Sequence, residues 1–207
     1  MSIVVGPPGA LVAIEGIDGA GKTTQSLRLA EALTAGGYVV VRTHEPTDGP
    51  WGRRIRASGE TGRLSPDEEF HAFLEDRREH VRDLIAPSLD AGKIVLVDRY
   101  YFSSMAYQGA RGLDPEEIRR QNERVAPRPD LLVILVIDAA EGVSRVNSRG
   151  RGNLFEREDD LRRSAAIFAG ITEPDPLRID ARLPAEAITK EILRALEERV
   201  LSRKKLG

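Results

Sequence analysis

The run Gly16-Ile17-Asp18-Gly19-Ala20-Gly21-Lys22-Thr23 has the spacing of a phosphate-binding loop. Its glycines let consecutive backbone N–H groups turn inward around phosphate oxygens. Lys22 then reaches the β- and γ-phosphates of a nucleotide, and the Thr23 hydroxyl holds Mg²⁺. Asp18 stands inside this loop, where an acid among bound phosphates is repelled. It either faces solvent or accepts a hydrogen bond from a second ligand, for which a sugar hydroxyl is a suitable donor.

A second anion site is written in Asp98-Arg99-Tyr100, after the apolar run from Ile94. An acid at the carboxyl end of a strand can hold Mg²⁺ through water, and the planar fork of Arg99 can clamp a second phosphate. The alternative is a structural Asp98–Arg99 pair. If a helix follows, Ser104 and Gln108 lie one turn apart on one face, with Tyr100 and Tyr107 on nearly the same side. Such a face suits a base and sugar, or is a solvated helix side. Phe73, Arg77 and Val81 are spaced i, i+4, i+8, which puts Arg77 on an apolar stripe where a charge needs a partner or a ligand. Arg77 either pairs with a carboxylate such as Glu45 or Asp98, or reads a nucleobase stacked on Phe73. The turn Glu45-Pro46-Thr47-Asp48-Gly49-Pro50 leads to Arg53, Arg54 and Arg56, any one of which is a surface residue or a reader of an anionic substrate. The loop Arg149-Gly150-Arg151-Gly152, with Phe155-Glu156-Arg157, fits a lid whose guanidinium groups close over a transferred phosphoryl group and exclude water. A charge-rich solvated loop is the alternative.

The elements that must carry these residues alternate between apolar runs and helical patterns, which predicts an α/β fold with a mostly parallel sheet. Strands are expected at Leu11 to Glu15, Tyr38 to Thr43, Ile94 to Asp98, Leu131 to Ile137 and, weakly, Leu177 to Asp180. The first four are nearly all apolar, as for strands covered on both faces. Helices are expected from about Gly21 to Ala35, over Pro66 to Ala91, from near Pro115, and over Pro184 to Arg203. Ser148 to Asp160 reads as a loop.

The 207 residues fit one domain, 1–207, with the lid at about 148–160. With 41% hydrophobic and 31% charged residues the chain is neither disordered nor membrane-spanning. A net charge of −2 argues against a broad face for nucleic acid. The lack of Cys excludes a disulfide scaffold and thiol catalysis, and the three His form no His-x-x-x-His pair. No apolar run is long enough for a bilayer, and the N-terminus lacks the pattern of a signal peptide, so a cytoplasmic protein is expected. No Asn-Lys-x-Asp motif points to guanine. The remaining candidates are a P-loop kinase, for one of several deoxynucleotides or nucleosides, and a non-catalytic nucleotide-binding module.

In their order along the chain, the phosphate loop with its internal Asp, the Glu-Pro turn, Phe-x-x-x-Arg, Asp-Arg-Tyr and Ala-Tyr-Gln-Gly resemble the thymidylate (dTMP) kinase family over nearly the whole length. The resemblance implies a P-loop fold, a three-layer αβα arrangement with a five-stranded parallel sheet and a short lid. It implies transfer of the γ-phosphate of ATP to dTMP in dTTP biosynthesis, with Mg²⁺, by a homodimer. Gly16, Ile17, Asp18, Gly19, Ala20, Gly21, Lys22, Thr23 and Thr24 would then bind ATP, with Thr23 and Asp98 at the metal. Asp18 would contact the sugar 3′-hydroxyl, and Arg56 and Arg99 the dTMP phosphate. Phe73 would stack on thymine, Arg77 would bond a thymine carbonyl, and Ser104 and Gln108 would face the base. Tyr107 would crowd the sugar C2′, and Glu45 would join the acceptor set. Lys22, Arg99 and the lid residues Arg149 and Arg151 would be catalytic. The chain departs from the family at His44, at Thr47-Asp48-Gly49 and at Asn153-Leu154, which leaves the choice of catalytic lid Arg open. Gly19 gives the phosphate loop no Arg of its own.

Overall fold

The computed structural model describes residues 9–148 and 158–204. In chain order it contains β1 (Ala10–Glu15), α1 (Lys22–Ala35), β2 (Val40–His44), α2 (Pro50–Thr61), α3 (Pro66–His80), α4 (Ala86–Asp90), β3 (Ile94–Asp98) and α5 (Tyr101–Ala110). Then follow α6 (Pro115–Asn122), β4 (Leu131–Val136), α7 (Ala139–Asn147), α8 (Glu158–Gly170), β5 (Leu177–Asp180), α9 (Ala185–Leu196) and α10 (Ser202–Lys204). The five strands are parallel, in the order β2-β3-β1-β4-β5, and helices flank the sheet in a three-layer αβα arrangement.

Every residue of β1 and β3 is buried, which accounts for their near-continuous apolar sequence. β2 departs from that expectation. Val40, Val41 and Thr43 are half-buried and Arg42 and His44 exposed, because it is an edge strand with only β3 beside it. Edge position and the exposed Arg42 explain how an apolar run ends up half-solvated. In the register Ile14 stands opposite Asp98, and Asp98 opposite His44. The carboxyl ends of the three strands therefore coincide, and the segments that follow them leave from one edge, where ligands of such sheets bind.

α3 begins with a capping box between Ser65 and Glu68, carries Asp67, Glu68 and Glu69 in its first turn, and ends in Arg77, Arg78 and His80. Both ends thus complement the helix dipole. The helix expected over Pro66 to Ala91 is there, but it widens into a π turn at Val81–Ile85 before α4. Pro87 supplies no N–H and crowds the carbonyl four residues back, and a wider turn accommodates it. α9 likewise passes through a π turn at Glu197–Leu201. Sequence periodicity did not reveal α2, α7 or α8. α8 starts at Glu158, inside the stretch read as a loop. Among the described residues no helix is long and apolar enough to cross a membrane.

Candidate active site

The phosphate loop joins β1 to α1. Gly21 caps α1 in the left-handed conformation (φ 95°), which a side chain disfavours. Gly19 (φ 83°) lies against the α7 backbone, and a Cβ there would stand 2.4 Å from the Gly142 carbonyl oxygen. The first amides of α1 and its positive end therefore face the loop, as an anion site requires. Lys22 is buried, and its Nζ donates to the carbonyl oxygens of Gly16 (3.0 Å) and Ile17 (2.9 Å). Burial lowers the pKa of its ammonium, against the opposing pull of Asp98 and Glu15. Thr23 Oγ1 donates to Asp98 Oδ2 at 2.5 Å, which joins two groups 75 positions apart. Thr24 follows, exposed on the first turn of α1.

Asp98 thus pairs with Thr23 and not with its neighbour. Arg99 turns the other way and forms an ion pair with Asp18, whose Oδ1 also lies 3.9 Å from Lys22 Nζ. Asp18 faces neither solvent alone nor a free ligand position; it bridges the two cations. Arg99 has φ 68°, the only positive value for a non-glycine among the described residues. Such strain persists only where the surroundings fix it. Its N–H bonds the Ile14 carbonyl (3.1 Å), and its guanidinium lies 5.2 Å above the Tyr107 ring.

Glu15, at the end of β1, was not singled out in the sequence. It is fully buried, accepts from the amides of Tyr100 (2.8 Å) and Ser103 (3.1 Å), and takes the Ser103 hydroxyl at 2.6 Å. Tyr100 is the N-cap of α5 and has no side-chain cap of its own, so Glu15 satisfies that helix end from the neighbouring strand. Burial pushes the Glu15 carboxyl up to about 7. The folded protein therefore holds a proton that the unfolded chain releases between pH 4.5 and 7. The stability contributed by Glu15 then falls as pH rises through that window. Between pH 8 and pH 4, wild type should gain about 3 kcal/mol on Glu15→Gln in urea unfolding. A constant or opposite difference would contradict this origin of the shift.

Arg77 resolves the conflict on α3 by pairing. It is 1% exposed; its Nε donates to Glu45 Oε2 at 2.8 Å, and Nη2 approaches the same oxygen at 2.6 Å. Nη1 donates to Asn122 Oδ1, Nη2 to Ser104 Oγ at 3.3 Å, and the guanidinium lies 5.6 Å from the Tyr100 ring centre. His80 bonds Glu45 through Nδ1 (2.9 Å) and Thr43 through Nε2 (2.8 Å). Asp76 ties the following turn down, accepting from the Thr47 amide (2.8 Å) and hydroxyl (2.6 Å).

These groups enclose one cavity of about 390 Å³ at the carboxyl edge of the sheet, within the range of small-molecule sites. Asp18, Glu45, Arg56, Phe73, Arg77, Arg99, Ser104, Tyr107 and Gln108 all line it. Phe73 is half-buried there. Arg56 is half-exposed and bonds the Pro46 carbonyl (2.9 Å) and Asp48 (3.0 Å). The cavity also takes in Arg63 and Glu69, which sequence reasoning missed. Glu69 resembles an ordinary first-turn acid of a helix, and nothing local marks it. Arg149 and Arg151 lie outside the described residues.

A sequence model of the thymidylate kinase family matches residues 14–192. The chain is 47% identical over 205 residues to a thymidylate kinase of Xanthomonas oryzae pv. oryzae (strain PXO99A), covering 97% of this chain and 90% of the relative. It is 48% identical over 191 residues to a thymidylate kinase of Akkermansia muciniphila, covering 92% and 93%. The chain belongs to the thymidylate kinase family. Family membership gives its activity, ATP-dependent phosphorylation of dTMP in nucleotide biosynthesis. The phosphate loop and the cavity beside it are thus the candidate sites for donor and acceptor.

Proposed function

We propose that the phosphate loop, Gly16 to Thr24, holds the ATP phosphates while the cavity beside it holds dTMP, with the two phosphates meeting at Lys22 and Arg99. The observation that carries this reading is Asp18, which is ion-paired to Arg99 and stands 3.9 Å from Lys22 Nζ, so the two cationic groups share one junction. An oxygen of the dTMP phosphate attacks the γ-phosphorus in line and the bond to the ADP oxygen breaks. Bringing two anions together is a matter of positioning and positive charge. Lys22 neutralises the donor phosphates, and Arg99 with Arg56 holds the acceptor. Arg149 and Arg151 in the lid add charge over the transferred group.

Within the cavity Phe73 stacks on the base, with Arg77, Ser104 and Gln108 at its polar edge. Asp18 and Tyr107 take the sugar 3′-hydroxyl and the C2′ side, and Glu45 acts through Arg77. Thr23 and Asp98 would hold Mg²⁺, which would offset the charge developing on the β- and γ-phosphates. A hydroxyl beside a carboxylate is a hard oxygen pair suited to that ion, which draws its other ligands from phosphates and water. The same reading takes residues 1–207 as one cytoplasmic kinase domain, with its lid at 148–160, acting as a homodimer, for which sedimentation is the test.

The deciding measurement is ADP formation with ATP, Mg²⁺ and a panel of dTMP, dUMP and dCMP. Turnover should depend on dTMP, with dUMP weaker by about 10–100-fold for the missing methyl. ADP formation indifferent to the acceptor would overturn the reading of the cavity.

A further inference from the structure

Glu69 takes no part in the phosphate chemistry, yet it is held from three directions. It is 2% exposed, and its Oε2 accepts from Arg63 Nε (2.9 Å) and Arg111 Nη1 (2.6 Å). Its Oε1 accepts from Gln108 Nε2 at 2.7 Å. A carboxylate paired with two guanidinium groups only accepts, so it dictates which end of the Gln108 amide faces it. The NH₂ end turns to Glu69 and Oε1 turns away. Gln108 is 1% exposed and lines the cavity, and its Oε1 has no hydrogen-bond partner among the described residues. A buried carbonyl oxygen in that position calls for a ligand donor. One turn earlier on α5, Ser104 accepts from Arg77, so a guanidinium donor stands at the same wall as the Gln108 acceptor. An acceptor beside a donor complements the N3–H and O4 edge of a 4-oxopyrimidine. Cytosine presents the reverse order, an unprotonated N3 beside an amino group.

We propose that Glu69 is a positioning residue that fixes the Gln108 amide with its oxygen toward the acceptor base, and so selects pyrimidines bearing an N3–H over cytosine. The inference rests on the reading that this cavity takes the acceptor nucleotide. In Glu69→Gln the new amide can offer Gln108 either a donor or an acceptor, and both orientations of Gln108 become accessible.

The test is steady-state kinetics on dTMP and dCMP for wild type, Glu69→Gln and Gln108→Leu. For Glu69→Gln the KM for dTMP should rise about tenfold and the preference for dTMP over dCMP in kcat/KM should fall about tenfold, with kcat on dTMP and KM for ATP within about twofold of wild type. If Gln108→Leu raises the KM for dTMP while Glu69→Gln leaves the preference intact, the positioning role is overturned and the cavity reading survives. If neither variant changes dTMP kinetics, the cavity reading itself is overturned. Since Glu69→Gln weakens the pairing of two guanidinium groups and can unfold the protein, wild type supplies a second readout. The Gln108 side-chain amide should show one slowly exchanging, downfield NMR proton with and without dTMP. Exchange as fast as that of an exposed Gln would overturn the proposal.

Discussion

Exchanging Lys22 for Met should lower phosphoryl transfer to dTMP by about a thousandfold, while the unfolding midpoint stays level or rises. The two halves of this expectation have one cause. Lys22 is 5% exposed and its ammonium is met by two backbone carbonyls, with no carboxylate among the described residues closer than 3.9 Å. Burial lowers its pKa. A buried cation whose folded-state pKa is lowered destabilises the fold below that value, and this burden disappears only above the ordinary Lys value. Methionine fills a similar volume without the charge. The fold keeps Lys22 at some expense in stability, which makes sense if the charge acts on phosphates. Single-turnover ADP formation and urea unfolding on the same preparation decide it. Normal turnover would refute the phosphate assignment, and a loss of several kcal/mol would refute the account of the buried charge.

Such residues differ in how openly the sequence declares them. The phosphate loop was legible because its backbone demands glycine at Gly19 and Gly21, so composition itself reports the geometry. Arg77 was half legible. Its place on an apolar stripe announced an unmet charge, and the sequence offered Glu45, Asp98 or a base as the answer. Glu45 is the partner, and it directly follows a different element, β2, so only the packed sheet could choose. Glu15 was invisible for the opposite reason. It ends a buried strand as an ordinary boundary acid would, and its partners, Tyr100 and Ser103, are more than 80 positions away. Asp76 and Glu69 look like surface acids of a charged helix until the turn after β2 and helix α5 close over them. The strands were found to within two residues because apolar runs record burial directly. The edge position of β2 was not, since hydrophobic content does not distinguish one neighbour from two. At nine residues α7 is too short for a repeating stripe to stand out, and Pro50, Gly52 and Gly59 make α2 read as a turn.

Arg77→Met should destabilise the protein by about 3–5 kcal/mol, a fall in melting temperature on the order of 10 °C. Removing the guanidinium leaves Glu45, 3% exposed, with His80 as its remaining side-chain partner among the described residues, and takes from Asn122 and Ser104 the donor they shared. An anion stripped of its counter-charge in that setting costs far more than an apolar replacement of the whole pair. Adding Glu45→Gln to Arg77→Met should therefore recover a substantial part of the loss, and the double-mutant cycle should show a coupling of about 1–3 kcal/mol. Arg99→Met is the contrasting case. The side chain of Arg99 is 23% exposed and its partner Asp18 is 20% exposed, so solvent takes over much of what is lost. Its stability should change by no more than about 1 kcal/mol while turnover collapses. Thermal unfolding and dTMP kinetics on the two variants separate the roles. If Arg77→Met melted with wild type, the Glu45 network would not be what holds the cavity wall. If Arg99→Met melted far below it, the left-handed turn at Arg99 would be maintained by the ion pair to Asp18, and the loss of activity could not be credited to phosphate binding alone.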